Sequence, residues 1–247
     1  RWSRTDRSGT VTPAQPQGIK LIVREGAVFA SISVALRPAS CPVPLAQKAF
    51  STYPARWVAD KIRKDAPDLR LVTCAVDLAV RHPGAVTVAK EGEVIARRIL
   101  NHRFTLPGTD ATRPINIPSL AEIAEVRRTI RRLRRLTGRP SPRKESCVAL
   151  QRRYRNLGDD RAKKIVAAIF AFAKHHGAHV VVLEDLKRLR PDSANERGVN
   201  DALSRWNRGR IVELARGAAE DAGLRVITVP AFFTSRVCAR CNAYGVR

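Results

Sequence analysis

Residues 71–78 read Leu-Val-Thr-Cys-Ala-Val-Asp-Leu, and residues 179–186 read His-Val-Val-Val-Leu-Glu-Asp-Leu. Each is a short apolar run, rich in β-branched residues, with a carboxylate near its end. Runs of this length and composition predict buried strands. A carboxylate inside such a run is costly unless it is paired or binds a metal. Asp77 and Glu184 are therefore the residues on which both the fold and the chemistry turn.

Downstream of Asp77, Ala85–Ala89 and Val94–Leu100 alternate and are joined by the turn signal Glu91-Gly92, so three strands are predicted in meander order. Residues 101–118 read as a loop. Ser119-Leu120-Ala121-Glu122 then fits a capping box, in which the serine accepts from a backbone amide and the glutamate bonds back. Ile123, Val126, Ile130 and Leu133 continue as a helical stripe, and Gly138 and Pro140 end it. Two more helices are predicted at about 145–156 and 159–176, the second stopped by Gly177. The strand that delivers Glu184 follows. A polar loop leads to a helix over about 200–222, closed by Gly223, and Leu224–Val229 is the last strand. The order β-β-β-α-β-α-β is that of an α/β, RNase H-like mixed sheet with flanking helices. In it the strands carrying Asp77 and Glu184 are neighbours.

Upstream, residues 1–17 read as linker or loop. Residues 18–37 alternate on both sides of Glu25-Gly26 and predict a β-hairpin. Residues 38–68 carry five prolines and are expected to be irregular, with a short helix near Ala55–Lys64. The predicted segments are 1–68, the end of a β domain with its linker; 69–231, the α/β domain; and 232–247, half of a zinc knuckle.

The charge points to a polyanion. With 46 Lys+Arg against 22 Asp+Glu, the net charge is +24, and arginine dominates. A field of that size favours nucleic acid, and a guanidinium grips phosphate with two prongs. The basic residues concentrate in 120–165, with 15 Lys+Arg and 5 Asp+Glu. Arg127, Arg128, Arg131, Arg132, Arg134 and Arg135 are predicted on the polar side of the capped helix, opposite the apolar stripe, as phosphate contacts. An ordinary solvated helix face is the bland alternative. Arg208 is a further candidate for a displaced single strand, whereas Trp206 reads as core. His175, His176 and His179 read as helix-end residues favoured by the dipole rather than as a metal cluster. A hydrophobic content of 44% permits a core, and no apolar run is long enough to span a membrane. Cys41, Cys74 and Cys147 are isolated and read as small buried hydrophobes, which suits a reducing cytoplasm.

Two carboxylates at the ends of adjacent strands can hold Mg²⁺, a hard cation that prefers oxygen. Two such ions promote phosphodiester hydrolysis. Cys238-Ala239-Arg240-Cys241 supplies two of the four ligands of a structural zinc. The other two are expected beyond Arg247, and the absence of methionine also suggests a longer protein.

Three segments resemble the RuvC nuclease domain of transposon-encoded TnpB proteins and of type V CRISPR effectors. Ala75-Val76-Asp77-Leu78-Ala79-Val80-Arg81 looks like the first RuvC motif, with Ala75 and Ala79 where glycines are common. Val182-Leu183-Glu184-Asp185-Leu186 looks like the second. Thr234-Ser235-Arg236-Val237-Cys238-Ala239-Arg240-Cys241 looks like the start of the zinc ribbon inserted in that domain, and the hairpin at 18–37 is similar to the end of the β-barrel wedge domain that precedes it. The resemblance implies a cytoplasmic, RNA-guided DNA endonuclease with guide RNA and target DNA as partners. Asp77 and Glu184 would then be catalytic ligands for two Mg²⁺ ions, with Cys238 and Cys241 as zinc ligands. A third acid is expected after a second cysteine pair. The rivals are a guided binder that silences by occupancy and a RuvC-like resolvase or transposase that uses no guide.

Overall fold

The run ending in Asp77 becomes the middle strand of a five-stranded sheet, and the second of two compact units is built around it. The computed structural model describes residues 2–5, 11–24, 27–36, 40–80, 82–105, 114–136, 145–186, 200–201, 203 and 206–230. The compact units are residues 1–40 and 41–247. Among the described residues no helix is long and apolar enough to cross a membrane.

In the first unit, β1 (Trp2–Thr5), β2 (Val11–Arg24) and β3 (Ala27–Leu36) form an antiparallel sheet in that order. The predicted hairpin is present, with Arg24 opposite Ala27 and Ile19 opposite Ile32. Its Glu25-Gly26 tip lies outside the described residues. The expectation of a loop over 1–17 is corrected, because residues 11–14 pair with β1 and residues 14–16 with β3. A register shift between Pro16 and Gly18 marks an irregularity of the ladder, the setting in which a strand tolerates a proline that cannot donate.

The second unit opens with α1 (Gln47–Thr52) and α2 (Ala55–Asp65), the latter close to its predicted span. The three meander strands are β4 (Val72–Asp77), β5 (Gly84–Lys90) and β6 (Glu93–Leu100), as expected. The loop expected over 101–118 instead holds a two-residue ladder, β7 (Arg103–Phe104) with β8 (Ile115–Asn116). Next come α3 (Leu120–Leu136), α4 (Glu145–His175), β9 (Val180–Asp185), α5 (Arg208–Ala222) and β10 (Arg225–Pro230). The sheet order is β10-β9-β4-β5-β6; β4, β9 and β10 are parallel, and β5 and β6 are antiparallel additions. This mixed sheet with flanking helices is the RNase H-like arrangement.

The capping box is formed: the Ser119 amide donates to Glu122 Oε2 at 2.6 Å and the Glu122 amide donates to Ser119 Oγ at 3.1 Å. The two helices expected over 145–176 are a single 31-residue helix. Gly158 does not break it, because helix packing outweighs the weak propensity of one glycine. Gly158 is buried, and a Cβ there would meet the Asn207 side chain at 3.2 Å. The helix expected over 200–222 is interrupted: Trp206 and Asn207 are not helical, and α5 starts at Arg208.

One face of the sheet carries the main core. Cys74, Val76, Val181 and Leu183 pack there with Ile165, Ile169 and Phe172 of α4 and Ile211, Ala215 and Ala219 of α5. The other face carries a smaller core of Phe50, Val58 and Ile62, from α1 and α2, against Val180 and Ile227. Residues 41–68, grouped from sequence with the first segment, are joined by these contacts to the sheet. Gln47 pairs with the outer edge of β10: its Nε2 donates to Val226 O at 2.8 Å, and its Oε1 accepts from Val226 N at 2.9 Å. A side-chain amide thus takes the place of a neighbouring strand and covers an edge. Cys74 and Cys147 are buried as expected, and burial pushes the Cys74 thiol up to about 12, which makes it inert.

Candidate functional site

Asp77 ends β4 and Glu184 lies one residue from the end of β9. The parallel ladder sets Val76 opposite Leu183, so Asp77 and Glu184 are the next pair along the same register. Strand alternation fixes their side. Cys74, Val76, Val181 and Leu183 face the main core. Ala75, Asp77, Val182 and Glu184 therefore belong to the opposite face, the one partly covered by α1 and α2. Asp77 is exposed and Glu184 half-buried. By the same alternation Asp185, one residue on, belongs to the other face. The fold thus brings together two carboxylates separated by more than a hundred residues, at the carboxyl ends of adjacent parallel strands, where open α/β sheets characteristically bind ligands.

The backbone around Asp77 is tightly set. Gly84, the first residue of β5, has φ +155°, and a Cβ at that position would lie 2.6 Å from the Asp77 carbonyl oxygen. Only a residue without a side chain lets β5 start there. Gly84 is a positioning residue that the sequence reading missed, and the only signal it left was a His-Pro-Gly turn.

A cavity of about 780 Å³ opens beside Glu184, lined in part by Leu78, Leu186, Trp206, Arg208 and Val212. Trp206 is 5% exposed, which bears out its reading as core. Arg208 is a brace: its Nε donates to Leu186 O at 2.8 Å and its Nη1 to Leu203 O at 3.4 Å. It ties the segment after Glu184 to the start of α5.

Among the described residues no group of three His, Cys, Asp or Glu side chains could hold a metal, histidines included. The two-carboxylate set is nonetheless of the right chemistry for Mg²⁺, which takes one or two carboxylates and keeps several waters. Cys238 and Cys241 lie outside the described residues. His175 ends α4, as expected, whereas His176 and His179 differ from expectation. A helix dipole would raise their pKa values, yet burial and neighbouring His175 hold His176 below its ordinary value, and burial does the same for His179. His179 is not at the helix end at all; its Nδ1 accepts from Val72 N at 3.2 Å and its amide donates to Val72 O at 2.8 Å.

The arginines of α3 form two rows, a correction to the single polar face expected. Arg127, Arg131 and Arg134 border a groove of about 340 Å³ against α4, whose Tyr154 and Arg155 line the far wall. Arg128, Arg132 and Arg135 face outward and are exposed. Arg128 pairs with Glu125, and Arg131 with Asp201 at 3.7 Å. Arg161 of α4 is 3% exposed; its Nη1 donates to Pro118 O at 2.6 Å, while Nε and Nη2 have no acceptor. Burial pushes this guanidinium down to about 10. It anchors the residue that precedes the Ser119 cap.

Residues 159–247 match the family model of the C2c1 CRISPR-Cas endonuclease RuvC-like domain. This part of the chain is similar to the RuvC-like domain of that type V effector family. The RuvC-like match begins inside α4 and includes Glu184. Solved structures extend the likeness to nearly the whole chain. C2c1 of Alicyclobacillus acidoterrestris in complex with single-guide RNA superposes with a TM-score of 0.70 at 13% identity, over 97% of this chain and 44% of that one. The AacC2c1 ternary complex with guide RNA and extended non-target DNA gives 0.73 at 12% identity, over 96% and 41%. The AacC2c1 binary complex gives 0.60 at 14%, over 96% and 40%. The chain therefore spans about two-fifths of the length of these neighbours, and at such identities the likeness speaks for the fold. No curated protein matches the chain.

Proposed function

We propose that this chain supplies the cutting site of an RNA-guided DNA endonuclease, with Asp77 and Glu184 as ligands of catalytic Mg²⁺. The observation that carries the reading is the parallel pairing of β4 with β9, whose last partners, Val76 and Leu183, directly precede Asp77 and Glu184. The RuvC-like match over residues 159–247 and the net charge of +24 support it. When bound, Mg²⁺ supplies Lewis-acid polarisation of the phosphodiester and an activated water. The chain's own residues do the rest. Asp77 and Glu184 hold their oxygens on one face of the sheet. Gly84 lets the Asp77 backbone sit close under β5. Arg208 steadies the turn that follows Glu184. Arginines of α3, with Arg155 of α4, take phosphates of a guide–target duplex through its shape and backbone. Cys238 and Cys241 contribute two ligands to a structural zinc, and the hairpin of β2 and β3 ends a wedge-type domain.

The test is cleavage of matched DNA in Mg²⁺ by the full-length protein with its guide RNA. Asp77→Ala is expected to lower the rate by at least about 100-fold, since loss even of an outer-shell partner costs on the order of 10–100-fold. RNA binding is expected to persist. Unchanged cutting in Asp77→Ala would sink the assignment. Tight RNA-dependent binding by the parent protein without cutting would identify a silencing binder instead. Purified protein that cuts branched DNA without any RNA would identify a resolvase.

A further inference from the structure

Tyr53 and Trp57, at the junction of α1 and α2, stack on one another in the open. Their ring centroids are 4.2 Å apart at an interplanar angle of 30°. Tyr53 is 49% exposed and Trp57 41%. The small core does not need them: Phe50, Val58 and Ile62 are the residues that α1 and α2 bury against the sheet. Single exposed hydrophobics are ordinary, but two aromatics stacked face to face and left half in water present a flat apolar surface.

The rim of that surface is basic. Arg56 precedes Trp57, and Lys61 and Lys64 lie one and two turns further along α2. Lys61 is held by Asp65 and Arg63 by Asp60, both at exposed sites. Arg56 and Lys64 have no ion-pair partner among the described residues. A flat aromatic face bordered by cations is the chemistry that single-stranded nucleic acid recognises, through base stacking and phosphate attraction together. An acidic peptide would use the cations but has little use for a stacked pair of rings.

Position selects which strand. Alternation along β4 and β9 puts Asp77 and Glu184 on the face of the sheet that α1 and α2 partly cover, with Val182 of the same row packed on the small core. On that face α2 packs Val58 and Ile62 against Val180 and Ile227. We infer that Tyr53 and Trp57 form a stacking platform for an unpaired base of the DNA strand to be cut. The inference deepens the nuclease reading and rests on it.

The experiment measures binding by the full-length, guide-loaded protein carrying Asp77→Ala, so that no cutting intervenes. Two single-stranded DNA probes of equal length are compared, one with bases and one with abasic sites, both with the same phosphates. The base-bearing probe is expected to bind about ten-fold more tightly, the range of one stacked base. In Trp57→Ala the gap closes while abasic binding is unchanged; Trp57→Phe keeps most of it. Both side chains are exposed, so the fold is expected to survive, with an unchanged Tm as the control. A gap that persists in Trp57→Ala overturns the platform and leaves the nuclease reading standing. So does a gap found with RNA probes and absent with DNA. A change of oligomeric state in Trp57→Ala would mark a protein contact instead and also overturn it. Failure of the parent protein to bind either probe would overturn the platform, while retained cleavage by the Asp77 form would preserve the nuclease reading.

Discussion

Asp77 is readable from its neighbours on the chain, since a carboxylate stands out in the apolar run Thr-Cys-Ala-Val-Asp-Leu, although the strand end leaves it exposed rather than buried. What holds it in place is not readable in the same way. The absence of a side chain at Gly84 matters only because β5 returns beside Asp77, where a Cβ would come within 2.6 Å of the carbonyl oxygen. Gly84→Ala is expected to lower stability by about 1–3 kcal/mol, the usual range for forced overpacking. By displacing the backbone that carries Asp77, it is expected to slow cleavage by about 100-fold. Affinity for nucleic acid should stay within a factor of about two, since no phosphate contact is touched. Melting curves and single-turnover cleavage on the same preparation check this; a variant with parental Tm and rate would show that β5 yields freely. Arg208 carries the same lesson. A basic residue near a helix start reads as a phosphate contact from sequence, yet two backbone carbonyls hold its guanidinium.

At the scale of elements, the start of the parallel ladder depends on a histidine. Val72 and His179 exchange a backbone bond and a side-chain bond, so His179 Nδ1 must be unprotonated to accept. Burial holds its pKa below the ordinary 6.5. Once pH drops below that ordinary value, the unfolded chain takes up the proton before the folded one does. Stability therefore falls with falling pH across that window and levels off below the folded-state value. His176, depressed by burial and by His175, adds to the same trend. Melting from about pH 8 to about pH 5 is expected to show this loss. His179→Gln, whose side-chain oxygen can accept the same bond, is expected to show a shallower one. An identical slope in the variant would remove His179 from the account. Element type was mostly legible: the meander, the capping box, α2 and the last strand follow from periodicity and punctuation. The failures share a cause. Gly158 looks like a break in sequence, but its site in α4 is buried, with the Asn207 side chain close by. Residues 11–16 look like a loop because of their prolines, but strands on either side recruit them.

At the scale of the whole molecule, the charge of +24 sets the long-range behaviour and the groove between α3 and α4 gives it a direction. Replacing Arg127, Arg131 and Arg134 together by alanine is expected to lower the slope of log affinity against log salt by about 2–3, the counterions of three phosphates. The matching change at Arg128, Arg132 and Arg135 should lower it less, because those side chains lie outside the groove. Titration of guide RNA at several salt concentrations checks both. Equal slopes for the two variants would mean that the groove has no privileged role. The ion pairs on α3 bear little on this, since exposed pairs contribute at most about 1 kcal/mol.

By itself the sequence determined the type of most segments: the meander strands, which helix is capped and where, which carboxylates lie in apolar runs, and a charge that favours a polyanion. These properties are set by residues within a few positions of one another, and their periodicity survives without any knowledge of the rest. Tertiary structure alone decided what meets what. Val72 and His179 are 107 positions apart, and the ladder they open sets Val76 opposite Leu183, one step before Asp77 and Glu184. It also packed α1 and α2 against one face of the sheet, divided the arginines of α3 into two rows, and left no room for a side chain at Gly84. Contacts between distant segments depend on how the two faces of one sheet are filled at once. That is a property of the packed whole, and no local window of the chain carries it.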